Sequence, residues 1–276
     1  MGLHPRDLKI LFVGFKGNIM NLKKVGDTLV CPDPKDLQLL YSGKTKDVYH
    51  YDDSTVLLHY KDNVTGWKIQ NPDGSISIVE DPGANEVIGQ IAGIGLKNLI
   101  SSVYFFQLFS EARIQNHFLD ADLNKNIMLV QKAIPVGAGL ECIVRFKAMG
   151  SIVRAYPDYI KKGQTLNDFF EITTKNDEAG DPRISKELLL NEDFGPIMTD
   201  IQYTKAKVIS LRAAKLVRDD LAKHGYELID IKFEIGIVNG KIILIDEVSA
   251  GIMRVFKDDV PLSEDELADL FVKLFQ

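Results

Sequence analysis

The chain has 276 residues, 45% hydrophobic and 26% charged, with a formal net charge of -6. That is the balance of an ordinary globular protein with chain enough for one large core or two modest ones. Its acidic excess excludes a nucleic-acid scaffold, while a phosphorylated small substrate needs only a few well-placed Lys and Arg.

Taken in chain order, the apolar run at residues 10–15 is too short for a membrane span or a signal segment. Arg6 stands where a myristoylated start would carry Ser or Thr. Cys31 and Cys142 lie far apart without metal-site spacing and read as free thiols of a reducing cytoplasm. Two prolines within residues 31–36 interrupt any regular element, so residues 1–38 read as an N-terminal extension. From Leu39 the pattern is β-like: LLYSGKTKDVYHY and STVLLHY predict two strands separated by Asp52, Asp53 and Ser54. NPDGS predicts a hairpin turn between Trp67 and Glu80. Residues 86–117 are mostly helical in pattern, with an interruption at Gly93 to Gly95, and residues 127–134 and 140–148 read as strands.

Residues 204–224 predict an amphipathic helix buried along Val208, Leu211, Val217 and Leu221 and capped by Gly225. Two β runs follow around Asn239-Gly240. A last helix starts at Ser263, which forms a capping-box pair with Glu266, and repeats Leu267, Phe271 and Leu274. Strands first, then helices alternating with strands, mean an α+β or α/β fold with two lobes.

The first strand of the late hairpin alternates, with Ile229, Ile231, Phe233 and Ile235 on one face and Asp230, Lys232, Glu234 and Gly236 on the other. Its partner, KIILIDEV, is apolar until it ends in Asp246-Glu247, and acids at the end of a buried strand must be hydrated, paired or metal-bound. A strict two-residue turn sets Glu234 opposite Ile245, whereas one bulged residue sets it opposite Asp246. Two facing carboxylates suit Mg2+, so the bulged register is expected. In SGKTKDVY, alternation places Lys44 and Lys46 on one strand face, where they could grip phosphates, although the spacing is not that of a P-loop. ECIVRFKAMGS places Glu141, Ile143, Arg145 and Lys147 on a common face. Arg145 is suited to bidentate recognition of an anion, and Ser151 offers a hydroxyl donor. In isolation, a surface ion pair between Arg145 and Glu141 is equally compatible. No HExxH or GxSxG grouping is present.

SGKTKDVY, ECIVRFKAMGS, KNDEAGDP and IDIKFEIG…IDEVSAGIMR, in this order, resemble the SAICAR synthetase family over roughly residues 39–254. GLKNLISS adds to the likeness through Gly95 and Asn98. The resemblance implies a small β-rich N-terminal nucleotide-binding lobe at 39–132 and an ATP-grasp-like catalytic lobe at 133–276. It also implies an ATP- and Mg2+-dependent ligase of purine biosynthesis that joins carboxyaminoimidazole ribotide to aspartate through an acyl phosphate. Small molecules would be its partners, and a homo-oligomer is compatible. Carried over by position, Gly43, Lys44 and Lys46 would hold ATP phosphates; Gln131, Lys132 and Ala133 would meet adenine; and Glu234 and Asp246 would bind Mg2+. Arg145, Ser151, Ser249 and Arg254 would hold the imidazole substrate, while Lys175, Asp177, Asp181, Lys232 and Arg254 would serve the reacting centre.

The sequence departs from the family after Asp246-Glu247. Ala250, Gly251, Ile252 and Met253 replace its Pro, Asp and two small residues, so an acidic substrate contact is missing. An insertion of about twenty residues after Thr65 replaces a glycine-rich loop, Ile94 stands for a lysine, and the extension has no family counterpart. These departures leave two alternatives: a paralogous ligase with another carboxylate or amine, or a nucleotide-binding protein without turnover.

Overall fold

The computed structural model describes residues 32–71, 73–80, 86–193 and 195–274. Cys31 and residues 1–31 of the extension lie outside them. An antiparallel five-stranded sheet has the order β1-β2-β3-β8-β7, built from β1 (Leu39–Ser42), β2 (Lys46–His50), β3 (Thr55–Tyr60), β7 (Phe118–Asp122) and β8 (Ile127–Gln131). The expected first strand is therefore two strands, broken at Gly43 to Thr45. Gly43 N–H donates to the Lys46 carbonyl (2.8 Å), and a side chain at 43 would collide with that oxygen.

The insertion forms a small sheet of β5 (Ile76–Glu80), β4 (Asn63–Gln70) and β6 (Glu86–Gln90), which includes the expected hairpin. The expectation of helix from residue 86 is corrected. Val87 and Ile88 are β-branched, Gly89 weakens a helix, and β6 pairs with β4. Helix α1 (Ile94–Glu111) starts after Gly93, which is left-handed at φ 82°. GIG thus marks the start of the helix. Asp62, distant in sequence, accepts from Gly93 N–H and Gly95 N–H (2.9 and 3.0 Å) and takes the place of a local cap.

The large sheet runs β11-β10-β12-β14-β15, with β13 and β9 also paired to β12. Its strands are β9 (Ile134–Pro135), β10 (Leu140–Lys147), β11 (Thr165–Thr174), β12 (Glu227–Val238), β13 (Lys241–Ile245), β14 (Met253–Lys257) and β15 (Val260–Pro261). All the described strand pairs of both larger sheets are antiparallel, which settles the class as α+β.

After the short helices α2 (Ser151–Ala155) and α3 (Lys186–Leu189), helix α4 (Asp200–Lys223) opens one turn earlier than expected, at a Thr199/Gln202 capping box. It buries Ala206, Ile209, Ala213, Ala214, Val217 and Leu221. Val208 is 44% exposed, so the stripe is rotated from the expected one toward the small residues, which let the helix approach the sheet. Gly225 at φ 78° ends it as expected. Helix α5 (Glu264–Leu274) carries the Ser263/Glu266 pair. A continuous apolar cluster runs from Val56 and Leu58 of the five-stranded sheet, through Phe105, Phe106 and Phe109 of α1, to Val144, Phe233 and Phe271. Each such fully buried side chain contributes about 1.5–3 kcal/mol relative to exposure.

Candidate active site

Strand alternation decides which residues meet. Cys142, Val144, Ile231 and Phe233 point into the core, which leaves Glu141, Arg145, Asp230, Lys232 and Glu234 on the other face of neighbouring strands β10 and β12. That polar face is enclosed: Glu141, Arg145 and Asp230 are all buried. Lys232 Nζ donates to Glu141 (2.7 Å), and Thr173 holds that carboxylate's other oxygen (2.9 Å). Burial alone would lower the Lys232 pKa, but Glu141 and Glu234 outweigh it and raise it.

The hairpin register corrects the expected bulge. Asn239 and Gly240 are both left-handed (φ 49° and 74°), Val238 pairs with Lys241, and Glu234 lies opposite Ile245. A strict two-residue turn suits the Asn-Gly sequence. Asp246 nevertheless comes to Glu234, because the chain leaves β13 in the left-handed region at Asp246, φ 68°. Burial and the Asp246 charge push the Glu234 carboxyl up against the opposing effect of Lys175. Burial pushes Asp246 up as well, but Lys46 and Lys175 outweigh it and hold it down. Lys175 Nζ donates to Glu234 (2.6 Å), and Lys46 Nζ lies 3.3 Å from Asp246 and bonds Glu247. Two adjacent carboxylates that draw on several cations have the donor chemistry for a divalent ion. Among the described residues no cluster of three or more potential ligands occurs, so the remaining positions would fall to phosphate oxygens and water.

Lys44 and Lys46 do not share a strand face. Lys44 lies in the break between β1 and β2 and crosses to Asp177 (2.9 and 3.0 Å), whereas Lys46 opens β2 and is 6% exposed, under Tyr60. Lys61 braces the break by donating to Gly43 O (2.6 Å) and Asp47 (2.8 Å). Gln131 ends β8, Lys132 is exposed, and Ala133 sits 2.9 Å from where a side chain at Gly236 would begin. The segment then joins the large sheet, Ile134 opposite Ile237.

Arg145 is a brace, not the open grip its sequence context suggested. Its N–H groups go to Glu171 (2.9 and 2.7 Å), Asp230 (2.7 Å), Met149 O (3.2 Å) and Ser151 Oγ (2.9 Å), which fills its five donors. Neither is it paired with Glu141. Asp230 in turn binds Arg254 (2.7 and 2.9 Å), whose guanidinium packs over Gly150; a side chain there would stand 2.7 Å from Arg254 Nη2. Arg183 holds the far oxygen of Glu171. Ser249 is fully buried and donates to Glu247 (2.7 Å), so it supports that carboxylate instead of facing a substrate. Asp181 accepts from Asn176 N–H (2.7 Å) and shapes the loop that carries Lys175 and Asp177.

Sequence reasoning missed Glu171, Glu247 as the partner of Lys46, and His117, which is buried against Phe106 with Nε2 3.2 Å from Asp246 O. Polar alternation could have flagged Glu171; no local pattern marks His117. Burial pushes the His117 pKa down to about 4. Beside Gly251, where the family's acidic residue is missing, Glu264 of α5 brings a carboxylate within 3.1 Å of the position a Cβ would take.

Residues 84–267 match the SAICAR synthetase family. A phosphoribosylaminoimidazole-succinocarboxamide synthase of Clostridium tetani (strain Massachusetts / E88) is 38% identical over 239 residues, covering 86% of this chain and 100% of that protein. The same-named protein of Methanoculleus marisnigri is 30% identical over 84% of this chain and 87% of its own length. Among solved structures, a SAICAR synthetase in complex with ADP matches with TM-score 0.68 and 28% identity, over 85% of this chain and 95% of that one. The SAICAR synthetase of Pyrococcus horikoshii OT3 matches with TM-score 0.66 and 26% identity, over 83% and 95%.

Proposed function

The chain belongs to the SAICAR synthetase family, and we propose that it performs the family's ligation where Lys46, Lys175, Glu234 and Asp246 converge. It is an ATP-dependent carboxylate–amine ligase of purine biosynthesis. The observation that carries the residue assignment is that convergence: paired carboxylates and two lysines beside a strand break that presents Lys44. The substrates are carboxyaminoimidazole ribotide and L-aspartate, the setting is the cytoplasm, and the lobes divide near residue 132.

In this reading Lys44 and Lys46 take the nucleotide phosphates, and Gln131 to Ala133 border the base. Glu234 and Asp246 would hold Mg2+, which when bound would supply charge neutralisation for the phosphates. A carboxylate oxygen of the ribotide attacks the γ-phosphorus, and the bond to ADP breaks. The aspartate nitrogen then attacks the acyl carbon, loses its proton, and phosphate departs with the carboxylate's oxygen. Lys175, beside Glu234, and Lys232 supply positive charge for the anions that develop. Arg254 and Ser151 face the ribotide, held at fixed geometry by Asp230 and Arg145. Asp177 and Asp181 set the loop that closes on Lys44.

The route is tested with ribotide whose carboxylate carries heavy oxygen. One labelled oxygen should appear in the released phosphate for each SAICAR formed. Unlabelled phosphate alongside SAICAR would exclude the acyl phosphate.

A further inference from the structure

The Asp246 carboxylate reaches Glu234 only because residue 246 is left-handed. In the observed register Glu234 faces Ile245, so a continued extended strand would carry Asp246 to the opposite, core face. Aspartate enters the left-handed region more readily than most residues, but the extended form stays open to it, so a contact made only in the left-handed form decides between them. The group in contact with the Asp246 carbonyl is the ring of His117, Nε2 at 3.2 Å. A carbonyl only accepts, so Nε2 carries the proton and donates. The ring is 3% exposed and is fixed from behind by the edge of Phe106, centroids 5.3 Å apart.

The backbone of His117 is also tied to both larger sheets. Its N–H donates to Leu244 O (3.1 Å), two residues before the kink, and its carbonyl accepts from Gln131 N–H (2.8 Å), at the segment that borders the base. Leu244 N–H donates to Gln115 O (3.0 Å), so residues 115–117 run alongside the end of β13. The imidazole therefore has little freedom to follow Asp246 if that residue turns away.

We propose that His117 is a positioning residue, whose Nε2–H bond to the Asp246 carbonyl keeps residue 246 left-handed and its carboxylate beside Glu234 for the divalent cation. The proposal rests on the reading that Asp246 and Glu234 bind that cation. Without the donor, Asp246 divides its time between the left-handed and extended arrangements, and only the first completes the pair. The cation affinity falls by the fraction of time lost.

The test is Mn2+ binding to the whole protein with ADP, read from the free-ion electron paramagnetic resonance signal, together with the thermal midpoint. His117→Phe keeps a ring against Phe106 but removes the donor. His117→Gln restores an N–H at about the reach of Nε2, and His117→Asn falls short of it. Phe and Asn should weaken Mn2+ binding about tenfold, in the range known for orienting partners of metal ligands. Gln should stay close to the unaltered protein, and ADP binding without metal should not move. Should the Phe variant fail to fold, Gln against Asn at matched thermal midpoints decides.

Unaltered Mn2+ affinity in His117→Phe, with affinity lost in Asp246→Asn, would overturn the role of His117. Equal loss in Phe and Gln would assign it to packing alone and overturn it too. If Asp246→Asn itself binds Mn2+ normally, the metal reading fails and takes the proposal with it.

Discussion

Replacing Arg145 with Met removes a charge but keeps an apolar stem of similar length. The wild-type guanidinium is 2% exposed between Glu171 and Asp230, whose side chains are 6% and 4% exposed. Removing one partner of a buried ion pair typically costs about 3–5 kcal/mol, because the other charge stays buried without compensation. Here each carboxylate keeps a second arginine, Glu171 through Arg183 and Asp230 through Arg254. Neither is wholly orphaned, and Met fills the space, so the lower end applies, about 3 kcal/mol. For a chain of this size each kcal/mol moves the thermal midpoint by about 2–4 °C, which gives a fall of about 6–12 °C in calorimetry. Arg145→Met combined with Asp230→Asn should lose more, since the second change takes from Arg254 the carboxylate it still holds. A midpoint within about 2 °C of wild type would refute the brace and restore Arg145 to the role of an open substrate grip.

Glu234→Gln should abolish Mn2+ binding yet stabilise the metal-free protein at neutral pH. Burial and Asp246 raise the folded-state pKa of Glu234. Such a group favours the fold fully below its unfolded value, and that contribution is lost as pH rises through the folded value. The gain of the Gln variant in denaturant melts should therefore shrink as pH falls toward about 4. Asp177→Asn should barely move the melting midpoint, because its pair with Lys44 is half exposed and exposed pairs contribute about 0–1 kcal/mol. Its ADP-forming rate should fall at least about tenfold if the loop positions Lys44. Gly150→Ala would press a methyl 2.7 Å from Arg254 Nη2 at a backbone φ of 65°, so KM for the ribotide should rise while ATP binding, measured calorimetrically, stays unchanged.

Much of this architecture is legible in local chemistry. Asn239-Gly240 specifies its own turn, Ser263 and Glu266 cap the last helix, and the alternation of residues 229–236 separates core from site. What escapes local reading depends on distant partners. Val87 and Ile88 form a strand because β4 is there to pair with them, and α1 is capped by Asp62 from the turn between β3 and β4. The expected bulge at the hairpin failed because the two-residue turn was already favourable; the required displacement occurs instead at Asp246, stabilised by contacts with residues more than a hundred positions away. Arg145 illustrates the same limit: its pattern announces an anion partner but not that Glu171 and Asp230, from flanking strands, supply it.

ADP release reports the ligation itself. Purified protein with Mg2+ and ATP should form ADP only when both carboxyaminoimidazole ribotide and L-aspartate are present, in step with SAICAR. Glu234→Ala and Asp246→Ala should each abolish that rate. No ADP with the complete pair, or ADP formed equally without aspartate, would exclude this ligation.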